Sequence, residues 1–281
     1  GWIDGDGRVV ASTQPGGITL QRVAYEIAFE NWRIARDRRA VTAAGTKASD
    51  IIERSAIGAG AALGRTRLSA LDVRLLGVGF AGYDLEGGRQ TLRGDVLRVT
   101  RETTDRMTAD WTLSGDRPLD RSRFRAELDA EPLLQSHDAR LVSLAVRIAG
   151  NDRDPRVVTE KLERWVFDSL AKVVTLSVPN ALDVLRTRKG DCNEHTQLYV
   201  ALARAVGIPA RIATGLAYVN GKFYYHAWPE VWLRDWVAVD PTFGQFPADA
   251  SHLRFVVGGL ARQAELLRLI GTLRIQVVAV R

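Results

Sequence analysis

The segment from residue 190 to residue 209 constrains the fold most, because it specifies both ends of one helix. Asp191 is a typical N-cap residue, and Glu194 three positions later completes a capping box. The tripeptide at 207–209, Gly-Ile-Pro, is typical of a helix end. Apolar residues recur at helical spacing between these signals: Leu198, Ala201, Leu202 and Ala205. We therefore predict a helix with one buried face that starts directly after Asp191.

The single cysteine of the chain, Cys192, lies in the first turn of this predicted helix. Backbone N–H groups and the positive end of the helix dipole favour a thiolate at such a position. A lone cysteine is more often a small buried residue, but its place at a capped helix start, directly after Gly190-Asp191, favours a reactive thiol. His195 lies three residues later on nearly the same face. It is predicted either to tune the thiolate or contact substrate, or to pack the helix.

Downstream of the helix, the sequence predicts three antiparallel strands. The strands at 211–218 and 222–233 flank the turn dipeptide Asn220-Gly221, and a third strand spans 236–240. His226 lies in the second strand and Asp240 ends the third. The two side chains share a face only if the connecting loop has an odd number of residues. A three-residue loop at 233–235 places them on a diagonal, and a five-residue loop places them directly opposite each other. A thiol, an imidazole and a carboxylate in this order form a nucleophile, a base and a group that orients the base.

Several spaced blocks in this half of the chain resemble the bacterial transglutaminase-like superfamily, most closely over residues 155–245. The blocks are Gly190-Asp191-Cys192-Asn193-Glu194-His195, Ala201-Leu202-Ala203-Arg204-Ala205 with Gly207-Ile208-Pro209-Ala210-Arg211, His226-Ala227-Trp228 with Glu230-Val231, and Trp236 with Val239-Asp240-Pro241-Thr242. The resemblance implies an α+β, papain-like core in which a helix bearing the cysteine packs on an antiparallel sheet. The catalytic triad of the family falls on Cys192, His226 and Asp240.

The function implied by this resemblance is cysteine-dependent acyl transfer at an amide bond of a protein or peptide, without a cofactor. In that mechanism the Cys192 thiolate attacks the carbonyl, His226 protonates the departing amine, and Asp240 fixes the imidazole tautomer. The acyl-enzyme then reacts with water, as in a protease or amidase, or with an amine, as in a transglutaminase. We expect hydrolysis to be somewhat favoured, because only 14 positions separate His226 from Asp240 and leave little room for a lid that excludes water.

Further contacts to substrate or to the oxyanion are predicted only weakly. The backbone N–H of Cys192 is expected to form part of the oxyanion hole. The candidates for the second donor are Trp165, Asn180 and Gln197. The tryptophans at strand spacing are predicted either to line an acyl groove or, more often for such positions, to pack in the core: Trp228, Trp232 and Trp236.

Three other classes of function are weighed against this one. A non-catalytic binding module on the same fold is the main alternative, and the intact triad argues against it. A zinc site formed by Cys192, His195, His226 and Asp240 is disfavoured, because a single thiol with widely separated partners matches structural zinc sites poorly. The net charge is +6, but the arginines are spread along the chain without a basic stripe interleaved with aromatics. We therefore predict no metal and no nucleic-acid partner.

The first 130 residues differ in pattern from the rest. Alternation with a period of two predicts a strand, a turn and a strand at 3–10 and further strands at 23–29, 71–75 and 92–99, the last after a turn at Gly87-Gly88. A helix is the alternative at 23–29, because Ala24, Ala28 and Trp32 recur at helical spacing. The stretch 100–113 could supply one more strand. We predict a mainly β domain of unknown role over 1–130 and a catalytic domain over 131–281.

The first residue is Gly1, and the only methionine is Met107. We therefore expect the natural start, and any signal or membrane anchor, to lie upstream. No apolar run reaches the roughly 18 residues of a membrane span. The resemblance implies an exported, periplasmic or membrane-linked bacterial protein rather than a cytoplasmic one.

Overall fold

The computed structural model describes three short strands near the N-terminus and residues 56–60, 62–64, 67–173 and 180–281. The chain divides into two compact units, Gly1–Ser55 and Ala56–Arg281. In the first unit, β1 (Trp2–Ile3), β2 (Val9–Thr13) and β3 (Thr19–Gln21) form an antiparallel sheet. Ile3 pairs with Val9, so the two predicted strands at 3–10 are confirmed, and the turn predicted between them lies outside the described residues. The predicted strand at 23–29 lies outside the described residues.

The second unit combines helices with antiparallel sheets. Its strands are β4 (Ile57–Gly58), β5 (Ala70–Leu76), β6 (Gln90–Arg93), β7 (Val96–Thr100), β8 (Ala171–Lys172), β9 (Lys189–Gly190), β10 (Ala210–Val219), β11 (Lys222–Trp232), β12 (Trp236–Ala238), β13 (His252–Val257) and β14 (Arg274–Val280). Its helices are α1 (Thr104–Met107), α2 (Arg125–Leu128), α3 (Ala139–Ala149), α4 (Pro155–Ser169), α5 (Ala181–Thr187), α6 (Cys192–Ala205) and α7 (Leu260–Gln263), with 3-10 turns at Arg121–Phe124 and Ala264–Leu269. None of the helices in the described part is long and apolar enough to cross a membrane.

The central sheet has the strand order β12–β11–β10–β13, and β4 also pairs with β11. Asn220 and Gly221 have positive φ angles of 47° and 95°, which suit the two-residue hairpin between β10 and β11. Trp232 pairs with Trp236, so the next loop contains three residues, 233–235. The predicted odd loop length is therefore confirmed, with the diagonal arrangement of the two side chains.

Helix α6 forms the centre of the helical layer. Every residue from Glu194 to Arg204 is buried. The predicted buried face is confirmed at Leu198, Ala201 and Leu202, and burial extends around the helix because α3, α4 and α5 also pack against α6. Apolar residues of these helices and of β11 and β12 form one core, which includes Leu198, Leu202, Val158, Leu162, Leu141, Val231 and Val237.

A second sheet, with the order β14–β5–β7–β6, forms another core with the central sheet. The predicted alternation is confirmed in β5, where Leu71, Val73 and Leu75 are buried. The single strand predicted at 92–99 is wrong: Gly94, with a φ of 63°, allows a tight turn that separates β6 from β7. The strand suggested for 100–113 is also wrong, since α1 lies there.

The second sheet combines strands from distant parts of the chain: β5, β6 and β7 lie between residues 70 and 100, and β14 begins at Arg274. Strand β14 pairs antiparallel with β5, so Arg274 lies opposite Leu76 and Val280 opposite Leu71. The predicted boundary near residue 130 therefore falls inside the second compact unit, whereas the division in the structure lies between Ser55 and Ala56. The change of period near residue 130 marks a change from strands to helices, but periodicity carries no information about which distant strands pair.

Candidate active site

The start of α6 is built as a capping box. The Asp191 N–H donates to Oε2 of Glu194 at 3.0 Å, and the Asp191 carboxylate accepts from the N–H of Asn193 at 3.1 Å. Only glycine fits at position 190, because a Cβ there would overlap the Glu194 side chain. Strand β9 ends at Gly190, whose carbonyl accepts from the N–H of Val173 at 3.0 Å. These contacts fix the half-buried Cys192 side chain in the first turn of the helix.

Asp240 is completely buried and accepts four hydrogen bonds. Its Oδ1 accepts from the backbone N–H groups of Thr242, at 2.8 Å, and Phe243, at 3.0 Å. Its Oδ2 lies 2.7 Å from Nε2 of His226 and 2.8 Å from Nε2 of His252. Burial by itself raises the pKa of Asp240, but these two imidazoles outweigh it and hold the pKa well below its usual range. The carboxylate therefore stays ionised inside the protein.

His226 connects this carboxylate to the cysteine. Because Nε2 donates to Asp240, Nδ1 is the nitrogen left for Cys192, whose side chain hydrogen-bonds the imidazole. Burial lowers the pKa of His226, but Asp240 and Cys192 outweigh it and raise the pKa to about 9. An imidazolium beside the sulfur stabilises a thiolate. The structure thus brings the three predicted residues together as one hydrogen-bonded series.

Two aromatic rings hold the His226 imidazole. The Phe243 ring is stacked on it, with centroids 4.6 Å apart and an angle of 5° between the planes, and Phe243 is 38% exposed. The Trp228 ring lies 6.1 Å away and is fully buried. Trp228 therefore packs against His226 inside the protein and does not reach substrate. Phe243 is the ring that faces solvent, and sequence reasoning missed it because it lies in a turn without periodicity.

Sequence reasoning also missed His252, the second imidazole on Asp240. It begins β13 and is completely buried. Its position opposite Asp240 depends on the pairing of β13 with β10, where His252 lies across from Ala217. The one available signal was a histidine at the start of an apolar strand, which by itself indicates only a buried imidazole.

The weaker candidates have other partners. His195 is completely buried, and its Nδ1 lies 2.6 Å from the Asp191 carbonyl oxygen. Burial first, and then the charge of Lys172, lower its pKa, so the imidazole is neutral and packs the helix. The Asn180 side chain caps α5: its Oδ1 accepts from the N–H of Asp183 at 3.0 Å, and its Nδ2 donates to Oδ2 of Asp183 at 2.6 Å. A role for Asn180 at the oxyanion stays a prediction.

Trp165 and Gln197 are the other two candidates for the second oxyanion donor. Trp165 packs against the helical core, and the Arg188 guanidinium lies 4.6 Å from the centre of its ring. Gln197 is buried in α6, and its Oε1 has no hydrogen-bond partner. A role for either residue at the oxyanion stays a prediction.

The tryptophans at the β11–β12 turn do not line the cleft. Trp232 and Trp236 form an aromatic cluster with Phe124, at centroid distances of 4.9 and 6.2 Å. Six residues of extended strand separate Trp232 from His226, a distance of about 20 Å. Trp232 and Trp236 therefore pack as the core alternative predicts and do not line an acyl groove beside His226. Strand spacing alone could not show which end of the sheet they occupy.

Comparison with known proteins agrees with this geometry. Residues 142–241 match the model of the transglutaminase-like superfamily, and they include Cys192, His226 and Asp240. An uncharacterized protein of Mycobacterium leprae is 30% identical over 115 residues, which cover 37% of this chain and 41% of that protein. The chain thus spans less than half the length of this curated relative.

Solved structures are also similar to this chain. A candidate cysteine protease from Cytophaga hutchinsonii superimposes with a TM-score of 0.50 at 17% identity, over 76% of this chain and 85% of that chain. The periplasmic domain of TgpA from Pseudomonas aeruginosa gives a TM-score of 0.42 at 17% identity, over 67% of this chain and 75% of that one. The first likeness concerns the fold alone, and it agrees with the family match. Over residues 142–241, this chain therefore carries a domain of the transglutaminase-like superfamily.

Proposed function

We propose that the protein catalyses cysteine-dependent acyl transfer at a peptide-type amide bond, with water somewhat favoured over an amine as the acceptor. The observation that carries this proposal is the hydrogen-bonded series of Cys192, His226 and Asp240, whose carboxylate is buried and fully hydrogen-bonded. A buried carboxylate that stays ionised beside a histidine, close to a half-buried cysteine, is typical of a catalytic site.

The geometry supports the following steps. The Cys192 thiolate attacks the amide carbonyl, and the backbone N–H groups at the start of α6 stabilise the oxyanion that forms. The His226 imidazolium then gives its Nδ1 proton to the departing amine as the C–N bond breaks and a thioester remains. Neutral His226 next takes a proton from water, which attacks the thioester and releases the acid and the Cys192 thiolate. Asp240 stays ionised throughout and holds Nε2.

The side chains around the Cys192 sulfur bear on whether water or an amine accepts the acyl group. Phe243 is the aromatic side chain that faces solvent next to His226, and the cluster of Trp232 and Trp236 lies elsewhere. Amine transfer needs a site that excludes water and concentrates the amine. With a peptide substrate and a labelled primary amine at about 1 mM, we expect cleaved or deamidated product to predominate, because water is present at about 55 M. Predominant incorporation of the amine, quantified by mass spectrometry, would show instead that transfer is the main reaction.

The reactivity of Cys192 is expected to depend on pH in a specific way. The imidazolium of His226, with a pKa of about 9, places a positive charge beside the Cys192 sulfur below that pH. We expect rapid alkylation by iodoacetamide already near about pH 6, whereas an ordinary thiol reacts rapidly only above about pH 8. We also expect kcat/KM to fall as pH rises through about 9, because neutral His226 has no proton for the leaving amine. Labelling followed by intact mass over this range tests the first expectation. Slow labelling at low pH, together with no turnover, would favour a non-catalytic binding module.

A further inference from the structure

The carboxylate of Asp240 serves two imidazoles through one oxygen atom. Nε2 of His226 and Nε2 of His252 lie 2.7 and 2.8 Å from the same Oδ2, while Oδ1 is occupied by two backbone N–H groups. All three side chains are buried. Since an ionised carboxylate oxygen only accepts, both imidazoles carry their proton on Nε2. His252 thus occupies one of the two lone-pair directions of Oδ2 and leaves one direction for His226.

A second carboxylate holds His252 from its other side. Oδ1 of Asp249 lies 3.4 Å from Nδ1 of His252. The same Oδ1 accepts from the N–H and the hydroxyl of Ser251, at 2.9 and 2.6 Å, and the Asp249 N–H donates to Gln245 at 2.8 Å. The Arg89 guanidinium donates to the carbonyl oxygen of Asp249 at 2.7 Å. Asp249 is therefore fixed by contacts that do not involve the proposed triad.

We propose that His252, supported by Asp249, is a positioning residue of the reaction: by holding Oδ2 of Asp240 it fixes the plane and the tautomer of His226 so that Nδ1 points at Cys192. This inference rests on the proposed function, since it assigns a task within the same site. Without His252, the second lone-pair direction of Oδ2 is open to water, and the direction from which His226 donates to Oδ2 is less restricted. A catalytic base must keep its geometry within a fraction of an ångström.

The charges around His252 add an electrostatic consequence. Burial lowers its pKa, but the hydrogen bond to Asp240 and the nearby carboxylate of Asp249 outweigh burial and raise it, which favours an imidazolium between two carboxylates. That positive charge offsets part of the charge of Asp240 at His226. The charged and titratable groups that face this cluster are Cys192 on α6, His226 on β11, Asp240 after β12, Asp249 before β13, and, further off, Glu163 on α4 and His195 on α6.

Three variants separate the positioning effect of His252 from the effect of its positive charge. His252→Ala removes the donor, and we expect kcat to fall about 10- to 100-fold with KM within about twofold, the range of one hydrogen bond to a buried charge. His252→Gln keeps a neutral donor, so we expect kcat within about fivefold of wild type and a higher alkaline limb of the pH profile. Asp249→Asn is expected to move that limb in the same direction. His137→Gln, at an exposed histidine, is the matched control and should change neither quantity.

Nitrogen NMR of the imidazoles gives a readout that requires no substrate. The chain has four histidines, so selective 15N labelling yields a spectrum that single substitutions can assign. Above about pH 9, where His226 becomes neutral, we expect it to show the Nε2–H tautomer alone in wild type and a mixture of tautomers in His252→Ala. The inference is overturned if His252→Ala folds and keeps both the wild-type His226 signals and a kcat within about twofold.

If His252→Ala does not fold, the two milder variants decide. An alkaline limb that stays at its wild-type position in both His252→Gln and Asp249→Asn would overturn the inference. Failure of the proposed function gives a different pattern: wild-type protein that neither labels at Cys192 nor turns over any amide. In that case, changed His226 signals in the His252 variants would still establish that His252 positions the imidazole.

Discussion

Cys192→Ala is expected to lower the turnover of any amide substrate at least about 10,000-fold, because the nucleophile is lost and no catalytic group can act without it. The chain contains no second cysteine that could substitute for Cys192. The residue is half-buried at a helix start, where alanine is sterically tolerated, so the fold should persist. Initial rates with a chromogenic peptide amide, together with circular dichroism, measure both outcomes.

Cys192→Ser is the matched variant for this prediction. The hydroxyl can keep a hydrogen bond to His226, but it ionises far less readily than a thiol and is a much weaker nucleophile. We expect it to retain the fold and to lose nearly as much activity as the alanine variant. Residual turnover above a few per cent in the alanine variant would show that the reaction does not pass through a thioester on this residue.

Glu230→Gln is expected to lower the free energy of unfolding by about 3–5 kcal/mol, because it leaves the buried Arg254 and the half-buried Arg211 without their counter-charge. Glu230 is completely buried on β11 and binds Arg211 through Oε2 at 2.6 Å and Arg254 through Oε1 at 3.0 Å. The Arg254 guanidinium also donates to the carbonyl oxygens of Asp84, at 3.0 Å, and Glu86, at 2.7 Å. The carboxylate thus stabilises the arginine that joins the central sheet to the loop before β6.

Urea unfolding at neutral pH measures this loss, with Asp168→Asn as the control. Asp168 pairs with Arg164 on the surface, where the side chains are 59% and 71% exposed, so its loss should cost less than about 1 kcal/mol. Burial raises the pKa of Glu230, but the two arginines outweigh it and lower the pKa below its ordinary value. The stabilisation by the Glu230 carboxylate is therefore present above about pH 4.5 and lost on acidification. The free energy of unfolding of Glu230→Gln should accordingly depend less on pH in the acidic range. Equal costs for the two substitutions would contradict the buried ion-pair argument.

The features that sequence reasoning predicted correctly are governed by local rules. Asp191 and Glu194 specify a helix start through contacts within four residues, and that start places Cys192. The three-residue loop at 233–235 follows from the period of two in strands, and it puts His226 and Asp240 on one face. Both arguments need only the order of residues and standard backbone geometry.

The features that it missed depend on contacts between distant segments. His252 reaches Asp240 only because β13 pairs with β10, and no pattern near residue 252 encodes that pairing. Strand β14 crosses back to β5, and no local pattern in the sequence indicates that pairing. Trp228 has the spacing of a cleft residue, but the segment that buries it, including Ala248, follows Asp240 in the chain.

The pairing of β13 with β10 also determines the smallest fragment of this protein that can keep its fold when it is transferred to another protein. A fragment limited to the family match at 142–241 would contain all three residues of the proposed triad. It would also leave the edge of β10 open to other chains, because Thr214 and Gly215 normally face Val256 and Arg254. Its Asp240 would lack the His252 donor. Domain exchange among relatives should therefore transfer the whole unit from Ala56 to Arg281. The family match at 142–241 is shorter than the unit whose contacts stabilise it.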